Sequence, residues 1–147
     1  MNWSTFLAEM SRPNSLAEMN WPNFFVVGPH KTGSTSVYTH LKHHPEVFLA
    51  ETKQLRIFQP EHKDNPGLDV IRTMYSGAKG YKAIGEVAPD YFLDPAVPPR
   101  IREVCPDAKI VITLRDPVER AYSHYLHFRR MNRDADCGAR WSRSRLL

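Results

Sequence analysis

The chain has 147 residues, of which 41% are hydrophobic and 11% aromatic, so it can bury the core of one domain and is not a disordered chain. Its formal net charge of +4 is confined to residues 129–147, and no interleaving of aromatic and basic residues along a strand points to nucleic-acid binding. No apolar run approaches the roughly 18 residues of a membrane span and no signal-peptide pattern is visible, so we expect a cytoplasmic protein without a membrane span.

The first residues carry a short duplication, because Leu-Ala-Glu-Met occurs at 7–10 and again at 16–19. Two copies are too few for a repeat fold, which needs about three units. We therefore predict a mobile N-terminal extension over 1–21. A folded domain is predicted over 22–131, and a basic, irregular tail over 132–147.

Strands and helices alternate through the predicted domain. Short apolar or β-branched runs predict strands at 24–27, 47–49, 83–85 and 109–114. Apolar residues at helical spacing predict helices at 34–43, 69–75 and 100–104, with a further helix from Asp116. The stretch 60–68 is polar with two prolines and is predicted to be a loop, and the stretch 95–99 is rich in proline. This alternation is typical of an α/β fold with a parallel sheet flanked by helices.

The last helix carries a capping pattern at its start. Asp116 can accept hydrogen bonds from the first turn, and Pro117 suits the first helical position. Glu119 can reach back to the cap residue, as in a capping box. We therefore predict that this helix begins directly after the strand that ends near Arg115. Ligands of parallel sheets bind at the carboxyl ends of strands, and Gly28 also lies at such an end.

The loop 28–36 joins the first strand to the first helix and has the composition of an anion site. Glycines let backbone amides approach a phosphate, and the following helix adds unpaired N–H donors. Lys31 supplies a positive charge and the hydroxyls of the loop supply short donors. The alternative is a Gly/Ser-rich helix cap with a solvated lysine. The loop differs from a nucleoside triphosphate loop, because Lys31 precedes Gly33 instead of following the last glycine.

Residues 24–35 resemble the 5'-phosphosulfate loop of sulfotransferases, particularly the branch with heparan sulfate sulfotransferases and bacterial relatives. The resemblance implies a P-loop-like sulfotransferase fold and 3'-phosphoadenosine 5'-phosphosulfate (PAPS) as donor, with adenosine 3',5'-bisphosphate as product. It implies that Lys31 is catalytic, through charge stabilisation on the leaving phosphate. It also implies that the loop residues bind the cofactor; these are Lys31, Thr32, Gly33, Ser34, Thr35 and Ser36.

A second motif spans residues 114–125. An arginine at a strand end and a hydroxyl in the next helix, Arg115 and Ser123, can share one phosphate. Alternatively, Arg115 pairs with an acidic neighbour and Ser123 is ordinary helix surface. The run resembles the element of the same family that binds the 3'-phosphate of the cofactor. That resemblance, which covers roughly residues 22–131, implies that Arg115 and Ser123 are cofactor-binding.

The group that activates the acceptor is open. Residues 53–58 resemble a Lys-Glu-x-x-Phe-Phe segment of the family whose glutamate often serves as the base, but Gln54 stands at that position. An amide cannot accept a proton at neutral pH. Residues 85–91 resemble a second family segment, which makes Glu86 a predicted catalytic residue or, alternatively, a structural hydrogen-bond acceptor. Further candidates for the base are Glu51, His43 and His44.

We therefore expect sulfuryl transfer from PAPS to a hydroxyl or amine of a carbohydrate, lipid or small molecule. No metal is expected, because the cysteines and histidines lack metal-ligand spacing. The family's domains run well beyond the length of this chain, so a truncated, non-catalytic nucleotide-binding fragment is one alternative. A P-loop nucleoside triphosphatase or kinase is another.

Overall fold

The computed structural model describes residues 2–5 and 20–131 of the chain. The strands are β1 (Phe24–Val27), β2 (Val47–Leu49), β3 (Ala83–Val87) and β4 (Lys109–Ile112). The α-helices are α1 (Ser34–Lys42), α2 (Leu68–Tyr75), α3 (Val97–Val104) and α4 (Pro117–Met131). Two short 3-10 helices occupy Ser76–Ala78 and Pro89–Leu93. A first compact unit ends at Leu114, and a second begins at Arg115.

The four strands form one parallel sheet in the order β2-β3-β1-β4, which confirms the predicted α/β class. β1 lies inside the sheet, with Phe25 opposite Glu86 of β3 and Ile110 of β4. Because parallel strands end at the same edge, the segments that begin at Gly28, Ala88 and Thr113 leave the sheet side by side.

The two faces of β1 bury different sets of apolar side chains, since successive residues of a strand point to opposite faces. On one face Phe25 and Val27 belong to the larger core, where the rings of Phe25 and Phe58 pack edge to face at 5.4 Å. On the other face Val26 packs with α1, through Val37, Tyr38 and Leu41. The amphipathic spacing of α1 thus places the helix that follows the loop against the sheet.

Several element boundaries differ from the predictions. α1 ends at Lys42 and α2 begins at Leu68, each one residue from the predicted position. α3 begins at Val97 instead of at 100, because its prolines occupy the first turn, where a missing N–H costs nothing. β3 continues to Val87, and β4 ends at Ile112 instead of 114. The 3-10 helix Pro89–Leu93 was not predicted, because its residues show neither a helical nor a strand period.

The predicted cap of α4 is half right. Asp116 Oδ1 accepts hydrogen bonds from the backbone N–H groups of Val118 and Glu119, each at 3.0 Å. The carboxylate of Glu119 does not return to the cap, however. It accepts instead from Nε and NH2 of Arg115, at 3.2 and 3.1 Å, because a guanidinium offers two parallel donors one turn away. The capping box is therefore wrong.

Part of the predicted N-terminal extension belongs to the first unit and contacts α3. The indole Nε1 of Trp3 donates to Glu103 Oε2 at 3.1 Å, and the Arg100 guanidinium lies 4.8 Å from the centre of the Trp3 ring. Residues 6–19 lie outside the described part of the chain, as does the predicted basic tail. The mobility of the extension and the irregularity of the tail stay predictions.

Candidate functional site

The loop 28–36 leaves the carboxyl end of β1 and enters α1, as the sequence predicts. Gly28 starts it at a φ of 148°, where a Cβ would overlap the carbonyl oxygen of Thr113 beside β4. Glycine is therefore required here by close backbone approach. Lys31 and Gly33 follow in the left-handed region, at φ 71° and 92°. Left-handed residues within a turn direct successive backbone N–H groups into one concave site that can bind an anion.

Thr32 fastens the loop to the neighbouring strand end. Its hydroxyl donates to the carbonyl of Pro29 at 2.8 Å and lies 2.8 Å from the hydroxyl of Thr113. Thr113 N in turn donates to the carbonyl of Val27 at 2.9 Å. The Thr32 side chain is thus engaged in holding the loop together, and its predicted contact with the cofactor stays a prediction.

The amide groups at the loop's end are open donors. Among the described residues, no hydrogen-bond acceptor is present for the backbone N–H groups of residues 31–36; the first ordinary helical bond of this turn runs from Val37 N to Gly33 O, at 3.1 Å. The first turn of α1 also contains no acidic side chain that could offset the positive end of the helix dipole. These two features fit the binding of a phosphate or sulfate group.

A second lysine, from outside the loop, reaches the same turn. Lys53 lies after β2, and its Nζ donates to Thr35 Oγ1 at 2.9 Å and to Ser34 Oγ at 3.2 Å. Burial lowers the pKa of Lys53, and the charge of Lys31 lowers it further, while Asp90 opposes both. Two ammonium groups therefore influence each other beside the open amides. Within the described chain, neither forms an ion pair with a carboxylate.

The segment 53–56 has an unusual backbone. Gln54 and Arg56 both adopt left-handed conformations, at φ 62° and 57°, which side chains of this kind rarely take. Two hydrogen bonds to the end of β3 stabilise this conformation. Gln54 N donates to Val87 O at 3.3 Å, and Arg56 N donates to Glu86 Oε1 at 3.1 Å. Strain of this kind persists where the surroundings over-determine it, often at functional sites. Gln54 is half-buried beside Lys53.

Asp90 ties this segment back to the loop. Its carboxylate contacts Arg56 NH2 at 2.6 Å and His30 Nε2 at 3.0 Å. The segment is thus connected to the loop at both ends, by Lys53 through hydroxyl groups and by Arg56 through a shared carboxylate.

Glu86 is 3% exposed and lies at the carboxyl end of β3. One oxygen accepts from Arg56 N at 3.1 Å and the other from the Tyr91 hydroxyl at 2.8 Å. Burial raises the pKa of this carboxyl to about 7, against the opposing effect of the hydrogen bonds from Tyr91, Arg56 and Leu55. Its geometry favours the structural alternative, in which Glu86 holds the segment 53–56 in place. A catalytic role for Glu86 stays a prediction.

The other candidate bases have local partners. Glu51 pairs with Lys42 at 2.6 Å on an exposed surface. His43 Nδ1 lies 2.6 Å from the carbonyl of Thr39, and His44 Nδ1 accepts from the amide of Glu46 at 3.2 Å. These contacts are those of solvated helix-end residues, and none of them involves the loop 28–36.

The second unit contains the predicted 3'-phosphate residues. Arg115 forms an ion pair with Glu119 at 3.1 Å, which is the acidic partner that the alternative interpretation requires. The pair is exposed, so it is worth at most about 1 kcal/mol and can be exchanged for a phosphate. Ser123 is partly buried in α4. Binding of the 3'-phosphate by these residues stays a prediction.

Lys53 is the site residue that the sequence does not reveal. Its flexible four-carbon stem allows the ammonium group to reach a loop from another part of the chain. The spacing of residues in the sequence does not predict such a contact. The only signal is its position in the segment 53–58, next to Gln54. Over the described residues, no group of three His, Cys, Asp or Glu side chains could hold a metal ion. None of the described helices is long and apolar enough to cross a membrane.

Comparison with known proteins gives one consistent family. The family model described as "Sulfotransferase domain" matches residues 22–144. The chain is 34% identical over 110 residues to the membrane-associated sulfotransferase kil1 of Dictyostelium discoideum, covering 73% of this chain and 23% of that protein. It is 31% identical over 115 residues to human bifunctional heparan sulfate N-deacetylase/N-sulfotransferase 3, covering 74% of this chain and 13% of that protein.

A solved sulfotransferase from Alicyclobacillus acidocaldarius shares the fold with a TM-score of 0.69 and 32% sequence identity. The match covers 79% of this chain and 53% of that one. The chain thus spans about half of the solved sulfotransferase and less than a quarter of the two relatives above. From the strand–loop–helix geometry, the sheet and these similarities together, we conclude that the chain belongs to the sulfotransferase domain family.

Proposed function

We propose that the chain binds the 5'-phosphosulfate end of PAPS in the loop 28–36 and takes part in sulfuryl transfer. The observation that carries the proposal is the set of open amide donors at residues 31–36 beside Lys31, which forms no ion pair with a carboxylate of the described chain. Family membership supports the same donor. The left-handed turn at Gly33 and the absence of an acidic side chain in the first turn of α1 fit a dianionic group.

The roles of the chain's residues follow from their chemistry. The amides of the loop and the hydroxyls of Ser34, Thr35 and Ser36 donate hydrogen bonds to the anion. Lys31 neutralises the charge that develops on the phosphate when the bridging oxygen leaves. To Arg115 and Ser123 we assign the role that the family resemblance implies, binding of the 3'-phosphate.

PAPS supplies an activated sulfuryl group, whose bond from sulfur to the bridging oxygen breaks as a bond from sulfur to the acceptor forms. The acceptor loses one proton, and adenosine 3',5'-bisphosphate leaves with the bridging oxygen and its electron pair. As in phosphoryl transfer, the protein contributes mainly positioning and charge stabilisation. Lys31 and the loop amides provide both.

For the acceptor we propose a carbohydrate hydroxyl or amine. Support comes from the names of similar proteins, among them carbohydrate sulfotransferase 15 of Rattus norvegicus, 28% identical over 160 residues. An acceptor screen that also includes lipids and small alcohols tests this choice. Neither residue at the family's acidic positions is a free base, because Gln54 carries an amide and Glu86 is buried and accepts two hydrogen bonds.

A second candidate function is nucleotide binding without turnover. The observation that favours it is Gln54 itself, which occupies the family's glutamate position in a segment that is otherwise held in place by Val87, Glu86 and Asp90. The phosphate-binding parts would then be retained without an acceptor base.

The test is a thermal melt of the purified chain with adenosine 3',5'-bisphosphate, with ATP and magnesium as control and with Arg115→Ala as a second control. At a hundredfold excess over the dissociation constant, specific binding adds about 2.7 kcal/mol of stability. An upward shift with the bisphosphate alone, reduced in the variant, supports the proposal. A shift only with ATP and magnesium would instead indicate a nucleoside triphosphatase or kinase. Turnover with PAPS separates transfer from binding alone.

A further inference from the structure

Lys53 makes the contact from which this inference starts. An ammonium group has three N–H donors. Two of them are used, one on Thr35 Oγ1 at 2.9 Å and one on Ser34 Oγ at 3.2 Å. In the described part of the chain, the third has no acceptor. The side chain is therefore fixed at the loop with one donor to spare.

The charges around Lys53 do not balance. Lys31 lies close enough to lower the pKa of Lys53, which burial already lowers. Asp90 opposes this shift, but its carboxylate is shared by Arg56 and His30, at 2.6 and 3.0 Å. Both lysines are half-buried, and in the described part of the chain neither forms an ion pair with a carboxylate, so their positive charges are unfavourable together. A bound anion would remove that cost.

The contacts of Lys53 also orient two hydroxyl groups. The oxygens of Ser34 and Thr35 accept from the ammonium group, so their own protons must point elsewhere. The backbone N–H groups of these residues are open as well. Hydroxyl protons and amide protons of the same turn are thus all available as donors to one ligand.

We propose that Lys53 is the second cationic ligand of the 5'-phosphosulfate group, supplied from outside the loop, and that it presents the hydroxyls of Ser34 and Thr35 to the anion as donors. This inference rests on the proposed function and adds a binding residue to the same site. Lys31 and Lys53 would then divide the charge of the phosphosulfate between them. Of the two, only Lys53 also fixes the direction of the loop's hydroxyl protons.

The test is calorimetric titration of adenosine 3',5'-bisphosphate, and separately of inorganic pyrophosphate, into the full chain and into Lys53→Met. Methionine is unbranched and reaches as far as Cε of lysine, so it keeps the apolar stem and removes the charged group. Loss of one charge-assisted ligand should weaken bisphosphate binding about 10-fold to 100-fold. Lys79→Met is the matched control, since Lys79 is exposed and lies after the 3-10 helix Ser76–Ala78; it should bind like the unaltered chain.

A double-mutant cycle with Thr35→Val tests whether Lys53 acts through the hydroxyl. Valine removes the oxygen that accepts from Lys53 and nearly keeps the shape. If the two groups act together, the double variant should lose at least threefold less affinity than the product of the single losses. Fully multiplicative losses would overturn the presentation of the hydroxyls.

The remaining outcomes separate this inference from the proposed function. Bisphosphate binding of unchanged affinity in Lys53→Met would overturn the role of Lys53 and leave the proposed function standing. An unaltered chain that binds neither the bisphosphate nor pyrophosphate would overturn both. If Lys53→Met does not melt cooperatively, Lys53→Gln is titrated in its place, because glutamine keeps hydrogen-bond donors without the charge.

Discussion

The hydroxyl of Tyr91 donates a 2.8 Å hydrogen bond to the carboxylate of Glu86, and neither side chain is more than 3% exposed. The same hydroxyl accepts from the backbone N–H of Phe58 at 3.1 Å. This chain of contacts joins the end of β3 to the segment that carries Lys53. A buried polar network thus holds the segment 53–58, so the stability of this part of the protein depends on the protonation of Glu86.

The first prediction concerns pH. The pKa of Glu86 is raised from 4.5 to about 7 in the folded protein, chiefly by burial. A raised carboxyl pKa contributes stability that is fully present below pH 4.5 and is lost as the pH rises toward 7. This one group should lower the free energy of unfolding by on the order of 3 kcal/mol between these limits. Urea denaturation at several pH values measures the change.

Glu86→Gln isolates that effect, because it removes the titrating group and should flatten the decline between pH 4.5 and 7. Glu61→Gln is the control, because the stability that Glu61 contributes changes with pH in the opposite direction. Arg100 holds the pKa of Glu61 below its usual value, so its contribution is lost as the pH falls. An equally steep decline in Glu86→Gln and in the unaltered chain would show that Glu86 does not titrate in this window.

Tyr91→Phe should destabilise the protein by about 1–3 kcal/mol, because it leaves the N–H of Phe58 without an acceptor and Glu86 with one donor fewer. Tyr81→Phe removes a hydroxyl from an exposed ring and should change the stability by less than about 0.5 kcal/mol. Chemical denaturation of both variants is the measurement. Equal effects would mean that the Tyr91 hydroxyl contributes nothing beyond its ring.

Gly28→Ala should disrupt the loop 28–36 more than the same change at Gly33 does, because a Cβ at Gly33 would meet no atom within 4 Å. A Cβ at Gly28 would overlap the backbone carbonyl of Thr113, and the φ of 148° there disfavours a side chain. We expect a loss of more than about 2 kcal/mol and of bisphosphate binding. Gly77→Ala is the control, since its Cβ would meet only the Phe48 ring at 3.5 Å. A stable, binding-competent Gly28→Ala variant would contradict the close approach.

Gln54→Glu should raise turnover if the missing carboxylate limits the reaction. A correctly positioned general base raises the reaction rate roughly 100-fold or more. Release of adenosine 3',5'-bisphosphate from PAPS, with an amine-bearing glycosaminoglycan as acceptor, measures the rate. Gln54→Asn keeps an amide and tolerates the left-handed backbone, so it should show no gain. A Gln54→Glu variant that binds the bisphosphate without faster turnover would exclude position 54 as the base.

Local signals predict much of the fold. The apolar run 24–27, the glycines of the loop and the spacing of Val37, Tyr38 and Leu41 act over a few residues, and the structure confirms β1 and α1 within one residue. The prolines of α3 mislead because proline marks loops and helix starts alike. Only packing decides between the two.

The site depends on contacts that no local pattern reports. Motif resemblance identifies the loop around Lys31, but the reach of Lys53 to Thr35 and the sharing of Asp90 by Arg56 and His30 arise when separate loops meet at the sheet edge. Likewise, the sequence allows Glu86 to be either a catalytic residue that activates the acceptor or a structural hydrogen-bond acceptor. Burial and two donors favour the second role.

The position of β1 inside the sheet also sets the order in which the protein can assemble. β1 and its loop are synthesised early, but Phe24 pairs with Gly85 and Lys109, which leave the ribosome much later. Until then β1 lacks both of its neighbouring strands, and loop closure over such separations slows folding. Substitutions in β3 or β4 should therefore lower the yield of native protein during synthesis, even where they leave the anion site untouched.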